Sequence, residues 1–153
     1  MSQEKMIVKQ LVWEDENLRQ MLEIENSSFN RLDAYTLEDF SRWYSYNPDL
    51  CVVAESDGHI VGYMISRILR DKVDLASLAI HPAYRRCGIG SALLAYTVTQ
   101  MRKYGIKQIE LEVRKNNAAA IAFWQELGFV PFGSLPGFYA DGEEALRMRK
   151  TID

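Results

Sequence analysis

The sequence predicts an α/β domain with a mixed central sheet of about seven strands and about four helices. Short β-type apolar runs and segments with helical spacing follow one another in the order β-α-α-β-β-β-α-β-α-β-β. A strand, a long helix and a second strand succeed one another across residues 73–113, which is the pattern of a parallel βαβ unit. The chain of 153 residues shows no repeat or linker, so residues 1–153 are predicted to form one domain.

The N-terminal segment is predicted to contain one strand and two helices. β-branched and apolar residues indicate a strand over residues 6–12. Apolar residues at helical spacing behind an acidic first turn predict a helix over residues 14–26. A loop over 27–35 follows, after which Thr36 is suited to cap a second helix over 36–46.

Three strands are predicted in the middle of the chain. Apolar runs at 50–55 and 60–69 flank an Asp-Gly pair, which is the strongest short signal for a β-hairpin. A third strand over 73–80 is closed by a His-Pro pair. The charged residues around the second turn are expected to be solvated surface: Arg67, Arg70 and Lys72.

The remaining elements alternate between helix and strand. A long helix over 89–104 ends at Gly105, and a strand over 109–113 follows it. A further helix over 118–127 ends at Gly128. Two last strands are predicted, Val130–Leu135 and residues 144–149.

Composition excludes several classes of protein. The chain has 18 basic and 21 acidic residues, a formal net charge of −3, so neither nucleic acid nor an anionic membrane is an expected partner. Only two cysteines occur, Cys51 and Cys87, and their spacing fits neither a disulfide framework nor a zinc site. The sequence has no signal-peptide core and no apolar stretch long enough to span a bilayer. A cytoplasmic protein without a metal is expected.

The loop that opens the long helix is suited to bind phosphate. Arg85 and Arg86 offer charge-assisted donors, and Gly88 and Gly90 let the backbone approach an anion closely at a helix N-terminus. The spacing matches neither a P-loop nor a dinucleotide-binding loop, whose third glycine is replaced here by Leu93. Spacing alone leaves open a tight strand-to-helix turn with solvated arginines.

Four segments in order resemble the GNAT (Gcn5-related) N-acetyltransferase superfamily. The run Arg85-Arg86-Cys87-Gly88-Ile89-Gly90 resembles its pyrophosphate-binding signature, [QR]-x-x-G-x-[GA]. Leu78-Ala79-Ile80 resembles the bulged fourth strand, and residues 111–129 resemble the fifth strand and fourth helix. Residues 138–145, FYADGEEA, are similar to a hairpin of protein N-terminal acetyltransferases of the RimI and Ard1 types. The resemblance therefore implies a GNAT fold.

The resemblance implies acetyl-CoA as cosubstrate, and most of the implied contacts lie on the fourth strand and the phosphate loop. The implied cofactor-binding residues are Leu78, Ala79, Ile80, Arg85, Arg86, Cys87, Gly88, Ile89, Gly90, Ser91, Asn117 and Trp124. Asn117 is also suited to be a helix N-cap, and the two roles are compatible. Trp124 departs from the family, which carries a tyrosine there as the proposed acid. An indole N–H is no usable acid, so Trp124 cannot take over that role.

Glu112 and Tyr139 are the predicted catalytic residues. Glu112 shares a strand face with Glu110 and Arg114, and the resemblance implies a general base, with a structural or substrate-orienting role as the alternative. Tyr139 is expected to contact substrate, with packing as the alternative. Phe29 and Tyr35 match the opposite wall of the substrate site by position.

The resemblance implies direct attack of an amine on the thioester in a ternary complex. A protein α-amine is the expected acceptor, so the partner is the N-terminus of a protein or peptide. Two alternatives stay open: acetylation of a small amine such as a polyamine or antibiotic, and a noncatalytic CoA-binding sensor or subunit. The choice between monomer and homodimer also stays open.

Overall fold

The computed structural model describes residues 6–153, which form one seven-stranded sheet and four α-helices. The strand order across the sheet is β1-β2-β3-β4-β5-β7-β6. The elements are β1 (Met6–Gln10), α1 (Asp15–Ser28), α2 (Leu37–Tyr46), β2 (Cys51–Ser56), β3 (His59–Leu69), β4 (Lys72–Ile80), α3 (Ile89–Lys103), β5 (Gln108–Arg114), α4 (Ala118–Glu126), β6 (Val130–Leu135) and β7 (Ala145–Thr151). The predicted fold class and element order are confirmed.

Local turn chemistry explains the predicted hairpin and several helix ends. Asp57 and Gly58 both have positive φ, 50° and 83°, as a two-residue hairpin turn requires, and Ser56 pairs with His59 across it. Gly105 and Gly128, at φ 70° and 92°, follow α3 and α4. No helix among residues 6–153 has both the length and the apolar character needed to cross a bilayer.

The parallel pair β4–β5 separates soon after it begins. Only Val73 with Ile109 and Asp74 with Glu110 are paired, so the carboxyl-terminal halves of the two strands diverge. Strand β4 also contains a bulge, because Ile65 pairs with Ser77 while the next residue of β3 pairs with Leu75, which leaves Ala76 as the extra residue. The sheet is therefore split open between its central strand, β4, and the neighbouring strand β5.

The two faces of the sheet bury separate cores. Residues of α3 and α4 pack on one face around Leu93, Met101 and Trp124, all at most 8% exposed. Residues of α1 and α2 pack on the other face around Met21 and Phe40, which are 0% and 2% exposed. Each such side chain contributes about 1.5–3 kcal/mol of transfer free energy, so both helical layers are firmly held and the split between β4 and β5 is framed by them.

Two of the three charged residues expected on the solvated surface are engaged in ion pairs. Arg67 Nε lies 3.0 Å from Asp74 Oδ2, and Lys72 Nζ lies 2.9 Å from Glu110 Oε1. The expectation was wrong for both residues, because their partners come from neighbouring strands. Arg70 is exposed in the turn between β3 and β4, at a φ of 62°.

Candidate active site

A cavity of about 570 Å³ occupies the gap between β4 and β5. Six elements contribute to its walls: the separated halves of β4 and β5, the loop before α3, helix α4, the loop between α1 and α2, and the loop between β6 and β7. Its volume is in the range of small-molecule sites. Eleven predicted site residues line it: Phe29, Tyr35, Leu78, Ala79, Ile80, Arg85, Arg86, Glu112, Asn117, Trp124 and Tyr139.

The loop before α3 forms a cationic end of this cavity. Arg85 and Arg86 are exposed and line the cavity, and neither forms an ion pair within residues 6–153. The hydrogen bond from Ala92 N–H to Gly88 O, 3.1 Å, begins the helix, so the N–H groups of the first turn have no carbonyl partner in the helix. Two arginines that line the cavity therefore lie in the loop that leads directly into a helix N-terminus.

The two glycines of this loop serve different purposes. Gly88 is the N-cap with φ 77°, and a Cβ there would meet nothing within 4 Å. A Cβ on Gly90 would come within 2.8 Å of Phe123 Cζ, so Gly90 is required for the packing of α3 against α4. This packing role of Gly90 adds to the predicted close approach of the backbone to an anion, which stays a prediction for both glycines.

Five predicted cofactor-binding residues do not line the cavity: Cys87, Gly88, Ile89, Gly90 and Ser91. Ile89 is 1% exposed and its side chain belongs to the core under β3, which leaves only its backbone for a ligand. Cys87 is exposed, and its thiol donates to Arg85 O at 3.6 Å. These residues lie in the loop and first turn at the cationic end, outside the lining itself.

Strand β4 and helix α4 form the long walls of the cavity. Strand β4 has no β5 partner beyond Asp74, so backbone polar groups along one edge face the cavity without a strand partner. On the opposite wall, Asn117 caps α4 by accepting a hydrogen bond from Ala120 N–H at 3.1 Å. Trp124 is 8% exposed and packs edge-on against Phe123 and Phe129.

Glu112 is a half-buried carboxylate on the wall formed by β5. Its side chain is 25% exposed, and the nearest cation is Arg147, with Nε 3.8 Å from Glu112 Oε1. Burial raises the pKa of Glu112 above its ordinary value, and the carboxylate of Asp74 adds to the rise. The group is therefore a stronger base than an exposed glutamate.

Glu110, two residues earlier on the same face of β5, has the opposite environment. Its side chain is 3% exposed and is bound by Lys72 at 2.9 Å and Arg149 at 2.7 Å. Burial alone would raise the pKa of Glu110, but these two cations lower it on balance. Glu110 is thus a structural ion-pair centre, whereas Glu112 faces the cavity.

Aromatic residues surround the end of the cavity beyond Glu112. Burial raises the pKa of Tyr35 and of Tyr139 to about 12, so both phenols stay protonated near neutral pH. The Tyr35 ring packs edge-on against Trp43 at 4.7 Å, and Phe29 follows the end of α1. Three phenyl or phenol rings thus line the cavity together with the Glu112 carboxylate.

Sequence patterns missed a buried network behind these rings. Glu25 is 0% exposed and accepts hydrogen bonds from Ser77 Oγ at 2.8 Å, Tyr35 N–H at 3.0 Å and the Tyr63 hydroxyl. It fixes the α1–α2 loop to the sheet, since its partners lie on that loop and on strands β3 and β4. Its position on the apolar face of α1, seven residues after Leu18, was the available signal.

Comparisons with known proteins agree with this architecture. A model of the acetyltransferase (GNAT) family matches residues 18–129. An N-alpha-acetyltransferase of Sulfurisphaera tokodaii is 39% identical over 113 residues, covering 65% of this chain and 68% of that relative. A Bacillus subtilis protein, provisionally named as a ribosomal protein bS18-alanine N-acetyltransferase, is 33% identical over 140 residues, covering 90% of this chain and 91% of the relative.

A solved structure, that of Ard1 from Thermoplasma volcanium, has a TM-score of 0.87 to this chain at 24% identity, with 97% of this chain and 98% of Ard1 covered. At that identity the likeness shows a shared fold. The resemblance drawn from the four sequence motifs is confirmed, because the family model spans residues 18–129 of 153. The protein belongs to the GNAT family of acetyltransferases.

Proposed function

We propose that the protein transfers the acetyl group of acetyl-CoA to the N-terminal α-amine of a protein, by direct attack within a ternary complex. One observation carries the proposal: a single cavity is lined both by two arginines of the loop before α3, Arg85 and Arg86, and by a carboxylate of raised pKa ringed by aromatic side chains. The names of the two relatives, an N-alpha-acetyltransferase and a ribosomal protein alanine N-acetyltransferase, support the choice of acceptor.

The cationic end of the cavity suits the pyrophosphate of acetyl-CoA. Arg85, Arg86 and the first-turn N–H groups offer donors for phosphate oxygens. The unpaired edge of β4 offers the backbone groups that an extended amide chain such as pantetheine pairs with. Asn117 and Trp124, on the opposite wall, would enclose that chain. The bound cosubstrate supplies the acetyl thioester at the far end.

Glu112 is the proposed general base at that end. A protein α-amine has a reference pKa of about 7.7–8.0, against about 10.4 for a lysine side chain, so a carboxylate of raised pKa suffices to take its proton directly or through one water. The amine nitrogen then attacks the thioester carbonyl, and the coenzyme leaves as a thiolate. A thiolate of pKa about 8.5 leaves with little acid assistance, which makes the tryptophan at position 124 compatible with turnover.

Tyr139→Phe is expected to raise the KM for the acceptor by about tenfold and to change kcat little, since removal of one buried hydroxyl removes about 1.4 kcal/mol of binding. Steady-state kinetics with a peptide acceptor measures the two constants. Tyr44→Phe is the matched control, because Tyr44 is also half-buried and packs on Trp13 but lies outside the cavity. An equal fall in kcat and kcat/KM would instead place the hydroxyl in the transition state.

The acceptor is tested with paired peptides. A peptide with a free α-amine is expected to be acetylated about 100-fold faster or more near neutral pH than the same peptide with a blocked N-terminus and an available lysine. The reason is that the pKa of a lysine side chain is about 2.5 higher than that of an α-amine, so much less of the lysine is unprotonated. Thiol release from acetyl-CoA measures both rates. Equal rates on the two peptides, or activity confined to polyamines, would overturn the α-amine acceptor and leave only family membership.

A further inference from the structure

Arg114, the last residue of β5, lies where the acceptor end of the cavity closes. Its side chain is 15% exposed and lines the cavity together with Asp33 and Tyr139. Arg114 Nε lies 2.6 Å from Asp33 Oδ2, and Arg114 Nη2 lies 2.8 Å from Asp33 Oδ1. Arg114 Nη1 lies 2.9 Å from Asp141 Oδ2 and 3.2 Å from Asp141 Oδ1. Every guanidinium nitrogen therefore donates to a carboxylate.

These two carboxylates belong to the two loops that wall the acceptor end. Asp33 lies in the loop between α1 and α2, the loop that carries Phe29 and Tyr35. Asp141 lies between β6 and β7, two residues after Tyr139. The two loops are more than a hundred residues apart in sequence, and Arg114 joins both of them to the strand that carries Glu112.

Arg114 also contacts the proposed substrate-binding phenol directly. Its Cζ lies 4.2 Å from the centroid of the Tyr139 ring, which is the geometry of a cation–π contact. The short turn around this ring is ordered by backbone bonds from Tyr139 N–H to Glu143 O at 3.1 Å and from Gly142 N–H to Tyr139 O at 2.9 Å. The guanidinium plane thus sets the position of the ring relative to Glu112.

We infer that Arg114 is a positioning residue of the acceptor site. Arg114 clasps the α1–α2 loop and the β6–β7 loop together and holds the Tyr139 ring in place at this site. This inference rests on the proposed function for its kinetic consequence. Because its nitrogens are all engaged by Asp33 and Asp141, Arg114 neither takes the proton from the amine nor binds the phosphates of the cosubstrate. Its loss should therefore act on the acceptor alone.

Lysine cannot replace arginine in this clasp. A guanidinium presents donors in a planar fork that pairs with two carboxylates and stacks on a ring at once, whereas an ammonium is a compact point charge. In Arg114→Lys, one of the two aspartates would lose its partner and the ring contact would weaken. Asp33→Asn combined with Asp141→Asn removes the same pairs while leaving Arg114 in place, which gives a second, independent variant.

The test combines kinetics, cofactor binding and hydrogen exchange on the full chain. We expect Arg114→Lys to raise the acceptor KM by about tenfold or more, since charge-assisted hydrogen bonds are lost, and to change the Kd for acetyl-CoA less than about twofold. Hydrogen exchange of the backbone amides should become faster than in the unmodified protein in both segments, 29–36 and 136–144. Lys115→Gln is the matched control. The pair Lys115–Glu144, 3.0 Å, joins the residue after β5 to the β6–β7 loop, and neither residue lines the cavity.

The outcomes separate this inference from the proposed function. Unchanged exchange in both loops of Arg114→Lys and of the double asparagine variant would overturn the clasp, whatever the substrate. Faster exchange with an unchanged acceptor KM would also overturn it as a positioning device. An unmodified protein that binds acetyl-CoA but acetylates no α-amine would refute the proposed function, and in that case the exchange measurement still decides the clasp.

Discussion

Glu112→Gln is expected to lower kcat by about 10²–10⁴-fold, the usual contribution of a general base. The carboxylate lines the acceptor end of the cavity, and its pKa is raised by burial and by Asp74. Glutamine keeps the shape of the side chain but cannot take a proton from the amine. The affinity for acetyl-CoA, measured by calorimetry, should stay nearly constant because the cationic end of the cavity is untouched.

Glu55→Gln is the control for this substitution. Glu55 is also a partly buried strand glutamate, with 13% of its side chain exposed and Lys9 Nζ at 2.8 Å from its Oε2, but it lies on β2 outside the cavity. The Glu55→Gln variant should therefore retain the wild-type kcat. Near wild-type turnover of folded Glu112→Gln across pH 6 to 9 would show that the amine loses its proton elsewhere.

The pH profile gives the same residue a second signature. A general base acts in its deprotonated form, so kcat/KM should fall as pH falls through the pKa of Glu112 in the free enzyme. Because burial raises that pKa above 4.5, the acidic limb should lie higher than for an exposed glutamate. In Glu112→Gln this limb should be absent from the residual rate.

Local signals account for the parts of the fold that the sequence predicted well. The Asp57–Gly58 turn, the glycines that follow α3 and α4, and the helical and alternating periodicities all depend on residues close in sequence. Strand ends depend on partners far away, so they were less accurate. Strand β7 runs to Thr151, two residues beyond the predicted end, because it pairs with Gln108 of β5 there.

The candidate site shows the same division between local and long-range information. Glu110 and Glu112 have the same alternation in the sequence. Only neighbours from β4 and β7 give Glu110 cations at 2.9 and 2.7 Å and leave Glu112 with its nearest cation at 3.8 Å. Gly90 matches a phosphate-loop pattern, but Phe123, the residue that a Cβ at position 90 would meet, lies on a helix more than thirty residues later. The Arg114 clasp joins residues 81 and 27 positions away.

Gly88→Val is expected to weaken the binding of acetyl-CoA by about 100-fold or more, through the loss of two or more charge-assisted hydrogen bonds. Gly88 is the N-cap of α3 at φ 77°, a left-handed conformation that costs a residue with a Cβ about 1–2 kcal/mol. Valine would move the loop away from that conformation, and with it Arg86 and the first-turn N–H groups. Isothermal titration with acetyl-CoA measures the loss.

Gly58→Val separates the effect on binding from the effect on the backbone. Gly58 has φ 83°, and a Cβ there would also meet nothing within 4 Å, but it lies in the β2–β3 turn, outside the cavity. Both variants should lose similar stability in thermal unfolding, about 1–2 kcal/mol, while only Gly88→Val loses affinity. Wild-type affinity in a folded Gly88→Val variant would remove this loop from the pyrophosphate site.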